Sequence, residues 1–134
     1  MSDPTPSPAP AAAVVYCTDE HRVAAFYAAL GGLETVETVD GDFVTLESAH
    51  LQLSFVRVPA HVAAAYPLAD PVERRSETPV KVVLPVDSLA DARAAAPALG
   101  GSVDPVEREW DWRGGRHVDA VDPEGNVVSL REPL

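Results

Sequence analysis

The tetrapeptide Ala-Leu-Gly-Gly stands at residues 29–32 and again at residues 98–101. Each copy closes the same kind of stretch: an apolar strand-like run, an acidic residue and a helix-like segment. The first copy follows Val14-Val15-Tyr16-Cys17-Thr18-Asp19, and the second follows Val82-Val83-Leu84-Pro85-Val86-Asp87. The repeat predicts two copies of one strand–helix–strands unit, with any ligand between them. A length of 134 residues is enough for one domain with an ordinary core.

Within the first copy, residues 11–17 read as a buried strand. Thr18 or Asp19 caps a helix, because a short oxygen-bearing side chain accepts from the free N–H groups of a first turn. Val23, Phe26, Tyr27 and Leu30 make one apolar helix face, and Gly31 is expected to supply the left-handed residue that stops it. Residues 33–39 alternate with one slip of register, which allows a bulge. Asp40-Gly41 reads as a two-residue hairpin turn, and strands are expected at 43–47 and 51–58. The second copy gives a strand over 80–86, a helix capped by Ser88 with its last turn loosened by Pro97, and strands over 102–107, 116–121 and 126–131. Residues 110–115, Trp-Asp-Trp-Arg-Gly-Gly, are read as a connection. Residues 1–10 read as a disordered tail, rich in Pro, Ser and Ala and without the basic start and apolar stretch of a leader. Residues 11–134 then form a single domain: module one over 11–59, a linker over 60–79 that folds over the site as a lid, and module two over 80–134.

Ten basic residues against 21 acidic ones leave a net charge of −11. Such a surface disfavours nucleic acid as a partner and attracts cations, though solubility alone also explains it. No apolar run approaches the ~20 residues of a membrane helix. The single Cys17 rules out an internal disulfide and fits a reducing, cytoplasmic setting.

In this order and spacing, several motifs together resemble the vicinal oxygen chelate superfamily, the glyoxalase, bleomycin-resistance and dioxygenase group. They are Asp19 followed by Phe26-Tyr27 and Leu30-Gly31, then Leu53–Pro59, then Leu99-Gly100-Gly101, then Asp122-Pro123-Glu124-Gly125-Asn126 before a last strand. The resemblance implies an α+β fold of two βαβββ modules whose sheets form an incomplete barrel around a ligand, commonly in a homodimer. It also implies divalent-metal ligands at positions that fall here on Ala12, Lys81 and Ser129, with Gln52 or Ser54 as the only donors on the fourth strand. Alanine offers no lone pair, an ammonium repels a metal and a serine is a poor neutral ligand. The expectation is therefore a site without metal or other cofactor.

No Gly-x-Ser-x-Gly elbow, His-Glu-x-x-His or phosphate loop is present. His21, His50 and His61 are scattered; His117, with Asp119 two residues on, is the one candidate acid–base pair. Cys17 reads as a core thiol. Lys81, the only lysine, either makes a salt bridge at a strand edge or reaches into the cavity. Trp110 and Trp112 point the same way if their segment is extended, and two indoles near Arg113 make a platform for a planar ligand or else fill an interface. Tyr16, Phe43 and Tyr66 would complete an aromatic cavity, with Gln52, Ser54, Lys81, His117 and Ser129 as polar contacts. The expected function is a non-catalytic binding protein that sequesters an aromatic or cationic natural product, of the antibiotic self-resistance type. The alternatives are a glyoxalase-like lyase or isomerase, metal-dependent or using His117 or Asp119 as base, and a module whose cavity is filled by its own side chains.

Overall fold

The computed structural model describes residues 9–65 and 67–134. The residues before 9, most of the expected tail, and the expected cavity residue Tyr66 lie outside the described residues. The elements run β1 (Ala11–Cys17), α1 (Glu20–Gly31), β2 (Glu34–Val39), β3 (Phe43–Glu47), β4 (Leu51–Arg57), α2 (Ala60–Ala65), β5 (Val83–Pro85), α3 (Leu89–Ala95), β6 (Ser102–Val103), β7 (Trp110–Trp112), β8 (Gly115–Val121) and β9 (Val127–Pro133). The fold is α+β, in two sheets. One has the order β1-β4-β3-β2; in the other β5-β9-β8-β6 is extended by β7 pairing with β8. Each sheet carries one parallel pair, β1 with β4 and β5 with β9, as a strand–helix crossover requires. Neither sheet closes into a barrel.

Local chemistry sets the boundaries. Asp19 caps α1 through the Arg22 amide at 3.1 Å, and Ser88 caps α3 through the Asp91 amide at 3.1 Å. The two Gly-Gly pairs divide their labour in opposite order. In the first copy Gly32, not the expected Gly31, takes the left-handed φ of +62°, while Gly31 packs where an added Cβ would lie 2.8 Å from Leu84. In the second, Pro97 turns the helix end into a 3-10 turn over Ala96–Leu99. The left-handed residue therefore comes one position earlier, at Gly100, and Gly101 becomes the packed one, against Phe26 and the Val121 carbonyl. The expected bulge falls between Thr35 and Glu37. The hairpin after β2 uses three residues rather than two, because Asp42 joins the turn and donates its amide to Val39.

The core is continuous between the modules. Val23, Phe26, Tyr27 and Leu30 of α1 are buried together with Leu53 and Phe55 of β4, Leu84 of β5, Leu89 of α3, Val118 of β8 and Leu130 of β9. Tyr27 meets Phe26 edge-on at 5.5 Å and Phe55 at 4.9 Å between ring centres. Arg57 closes on the fully buried Glu20 carboxylate at 2.6 Å. The motif 122–126 ties the modules by hydrogen bonds: Asp122 accepts from the Tyr27 hydroxyl, and Glu124 accepts from the amides of Thr18 and Asp19. The helices pack on one face of each sheet, and the opposite faces turn away from the core. No helix among the described residues is long and apolar enough to cross a membrane.

Candidate functional site

Strand alternation sorts the side chains. In the second sheet Val118, Ala120, Val128 and Leu130 point into the core. Their neighbours His117, Asp119, Ser129 and Val83 therefore share the outer face, where Asp119 lies opposite Ser129 and Ser129 opposite Val83. Residues 110–112, expected as part of a connection, form β7: Trp110 pairs with His117 and Trp112 with Gly115. The physical reason is the period-two Trp-Asp-Trp pattern. It sends both indoles to the face where His117 lies, and the imidazole gives them something flat to cover. Trp110 stacks on His117 at 5.5 Å and 16°, and Trp112 tilts against the same ring at 5.7 Å. The His117 Nε2 lies 3.1 Å from the Trp112 carbonyl, which only accepts, so Nε2 carries the proton.

Charge gathers around this stack. The Lys81 Nζ lies 3.0 Å and 3.2 Å from the two Asp119 oxygens and 5.6 Å from the Trp110 ring centre. It thus makes the salt bridge and faces the aromatic cluster at once. The Arg113 guanidinium stands 5.7 Å from the Trp112 ring. The linker contributes one residue the sequence reading did not single out: Arg74 bonds Asp104 at 2.7 Å and reaches to 3.6 Å from Asp119. That bond to Asp104 raises the pKa of Arg74 further above the usual guanidinium value. Arg75 fastens the same stretch to the 122–126 turn through the Gly125 carbonyl and the Asn126 side chain. In the sequence Glu73-Arg74-Arg75 is only a charged run within the linker, and the fold brings Arg74 to the second sheet. Ser129 is 3% exposed, and its hydroxyl has no hydrogen-bond partner among the described residues.

Of the other expected site residues, Tyr16, Phe43, Gln52 and Ser54 lie on the outer face of the first sheet. Tyr16 and Phe43 flank Val56 in one row. Ser54 and Thr45 share a 2.8 Å hydrogen bond in the next row, and the Gln52 amide donates to Glu47 at 3.3 Å in the third. Tyr16 is 68% exposed. Among the described residues the expected site residues thus fall into two groups, one per sheet, with no hydrogen bond or ring contact between the groups. Two open clefts, of about 720 Å³ and 550 Å³, lie elsewhere. The larger runs between the end of α1 and the start of α3, the smaller beside residues 67–77, and among the described residues none of the expected site residues lines either.

The donor set does not fit a resident divalent metal. Ala12 stands beside Gln52 in register, Lys81 brings a positive charge, and Ser129 is neutral. Glu47 is a carboxylate next to Gln52, but two oxygen donors on an open sheet face fall short of the three or more protein ligands such a metal takes. Among the described residues no three His, Cys, Asp or Glu side chains converge. Cys17 is buried in the core, and burial, reinforced by the charges of Glu124, Glu20, Asp122 and Asp19, pushes its thiol up to about 12.

A family model described as a glyoxalase-like domain matches residues 12–131. No curated protein matches the chain in sequence. Solved structures share the fold. The bleomycin-binding protein from Streptomyces verticillus, complexed with copper(II)-bleomycin, is 16% identical with a TM-score of 0.56, over 97% of this chain and 100% of that one. The fosfomycin resistance protein FosX from Listeria monocytogenes, complexed with Mn(II) and a dihydroxypropylphosphonic acid, is 14% identical with a TM-score of 0.62, over 97% and 93%. A lactoylglutathione lyase from Agrobacterium tumefaciens is 25% identical with a TM-score of 0.55, over 95% of each chain.

Proposed function

The chain belongs to the glyoxalase-like family, and from that premise we propose that it binds a planar aromatic small molecule and releases it unchanged. The observation that carries this reading is the Trp110–His117–Trp112 stack. The two indoles are 38% and 57% exposed yet held on a strand and against a buried ring. A large aromatic surface kept rigid and open to solvent costs stability unless something covers it, and stacking adds about 0.5–1.5 kcal/mol per ring pair beyond area burial. The groups that would do chemistry are otherwise engaged: the His117 Nε2 proton goes to a backbone carbonyl, and Asp119 is tied to Lys81.

In this reading the pocket closes between two copies of the chain. The outward row of exposed Tyr16 and half-buried Val56 and Phe43 in one copy covers the Trp face of the other, so Gln52 and Ser54 enter the site from the partner. The role is sequestration of an aromatic natural product in the cytoplasm, of the antibiotic self-resistance type, a reading supported by fold neighbours that include a bleomycin-binding protein and a fosfomycin resistance protein.

Titration with planar aromatic compounds is expected to quench tryptophan emission, with the compound recovered intact by mass spectrometry after overnight incubation. Trp112→Ala is expected to lose about tenfold in affinity, the scale of one stacking partner and its buried area. A product peak that grows with time would replace binding by catalysis, and equal quenching of Trp112→Ala and parent would remove the platform.

A further inference from the structure

We infer that the outer face of the second sheet is an oxyanion subsite, with Lys81 supplying its positive charge and Ser129 a hydrogen bond. The guest is then a planar ring carrying a carboxylate or phenolate oxygen. The inference rests on the binding reading above and narrows it to a chemical class.

The disagreement at the metal positions is the starting point. Lys81 stands where the resemblance expects a metal ligand, and it is the only lysine in the chain. It lies two residues before Val83, which pairs with Ser129 from one side, and its Nζ reaches across the sheet to Asp119, which pairs with Ser129 from the other. An ammonium has three N–H donors, and the two Asp119 oxygens lie on one side of it. At least one donor is left for a guest, and the side chain is more than one-third exposed.

Ser129 gives the second, independent sign. A buried hydroxyl without a partner is costly, and native proteins rarely leave one in a sheet without a use. Here it sits directly between Val83 and Asp119. A guest oxygen that accepts a hydrogen bond from the free Lys81 N–H also accepts from Ser129, and its ring lies toward the Trp110 edge of the cluster.

Local charge decides the sign. Asp119 is met by Lys81 on one side and by Arg74 on the other, so these three groups sum to one positive charge. Asp104 is paired in turn with Arg74 and Arg108. The two rings nearest the guest already face cations, Lys81 at Trp110 and Arg113 at Trp112, so a cationic guest would meet like charge there. The net charge of −11 acts from farther away, and at physiological salt it is screened beyond about 8 Å. The contact charges therefore outweigh it, and the aromatic guest is anionic rather than cationic.

The test uses three rings of similar size: salicylate, neutral salicylamide and cationic benzylammonium, each titrated against the full chain by tryptophan quenching. Salicylate is expected to bind about tenfold more tightly than either, and to weaken as sodium chloride is raised from about 50 to 500 mM. Lys81→Met is expected to remove that preference and Lys81→Arg to keep most of it. Asp119→Asn removes the competing carboxylate, so salicylate affinity is expected to rise about fivefold. A purely structural role for the Lys81–Asp119 pair predicts the opposite, and this variant together with the salt series keeps the test decisive if Lys81→Met fails to fold. Benzylammonium binding as tightly as salicylate, no salicylate quenching of the parent, or weaker salicylate binding by Asp119→Asn would each overturn the subsite. If a neutral or cationic ring still binds, the general binding reading survives that result. Conversely, salicylate binding with the charge dependence above supports the subsite even if other compounds prove to be turned over.

Discussion

The Glu124 carboxylate accepts from the Thr18 amide at 2.8 Å and the Asp19 amide at 3.0 Å, across more than 100 residues of chain. Those amides open α1, so the bond also places a negative charge at the positive end of the helix. Glu124→Ala leaves two part-buried N–H groups without acceptors, and about 2–4 kcal/mol of stability is expected to go with them. Urea unfolding monitored by circular dichroism checks this through a lower midpoint at an unchanged slope; Glu124→Gln, which keeps an oxygen in place, should lose less. The same carboxylates act on Cys17. Burial first, and then their charge, raise its thiol from the usual 9.0 to about 12. A folded-state pKa above the unfolded one favours folding below pH 9, and that share is lost as pH climbs from 9 toward 12, by up to about 1.4 kcal/mol per pH unit. Comparing urea midpoints of the parent and Cys17→Ala at pH 8, 9 and 10 isolates this slope. The parent should fall faster, and parallel lines would mean the thiol is not held protonated by the fold.

At the scale of the element, the hairpin joining β7 to β8 shows what a sequence does and does not display. Arg113 and Gly114 both have positive φ, +48° and +74°, the pair of left-handed residues that matches the twist of a two-residue hairpin. Residues 110–115 read as a connection, and a turn within them was legible to that extent. The strand before it was not, because three residues are too few for periodicity to register and the partner that makes Trp110–Trp112 a strand is His117, already past the turn. The strand over 102–107 shrank to Ser102–Val103 for a related reason: Pro105 has no N–H for the ladder and instead opens a 3-10 turn over Val106–Arg108. Caps at Asp19 and Ser88, the bulge in β2 and the loosened end at Pro97 are local events, and each could be read from a few neighbouring residues. The hairpin makes a testable claim of its own. Gly114→Val forces a β-branched residue into the left-handed region at a cost of about 1–2 kcal/mol, and the near-ultraviolet circular dichroism of the tryptophans should weaken as β7 frays from His117. Arg113→Asn, a residue that tolerates positive φ, should leave that signal in place.

For the molecule as a whole, the duplicated plan was legible in the repeat because it is written in residue order. The division of the site was not. Tyr16, Phe43, Gln52 and Ser54 lie on one sheet and Trp110, Trp112, Lys81, Arg113, His117 and Ser129 on or beside the other. Which face each sheet buries depends on pairing registers that no short window contains. What joins the sheets is the shared core, and Gly101 lies at one close approach between the modules. An added methyl there would run into the Phe26 ring of the first module and the Val121 carbonyl of the second. Gly101→Ala is expected to cost about 1–3 kcal/mol through this overpacking. The molecule carries a reporter in each half: both tryptophans belong to the second, and buried Cys17 belongs to the first. If the core makes the modules one cooperative unit, tryptophan emission and exposure of Cys17 to a thiol reagent should give the same urea midpoint in the parent. Gly101→Ala should move both by the same amount. Midpoints that separate, with the tryptophans released at lower urea than the thiol, would mean that the second module opens alone and that the Phe26–Gly101 contact does not couple the halves.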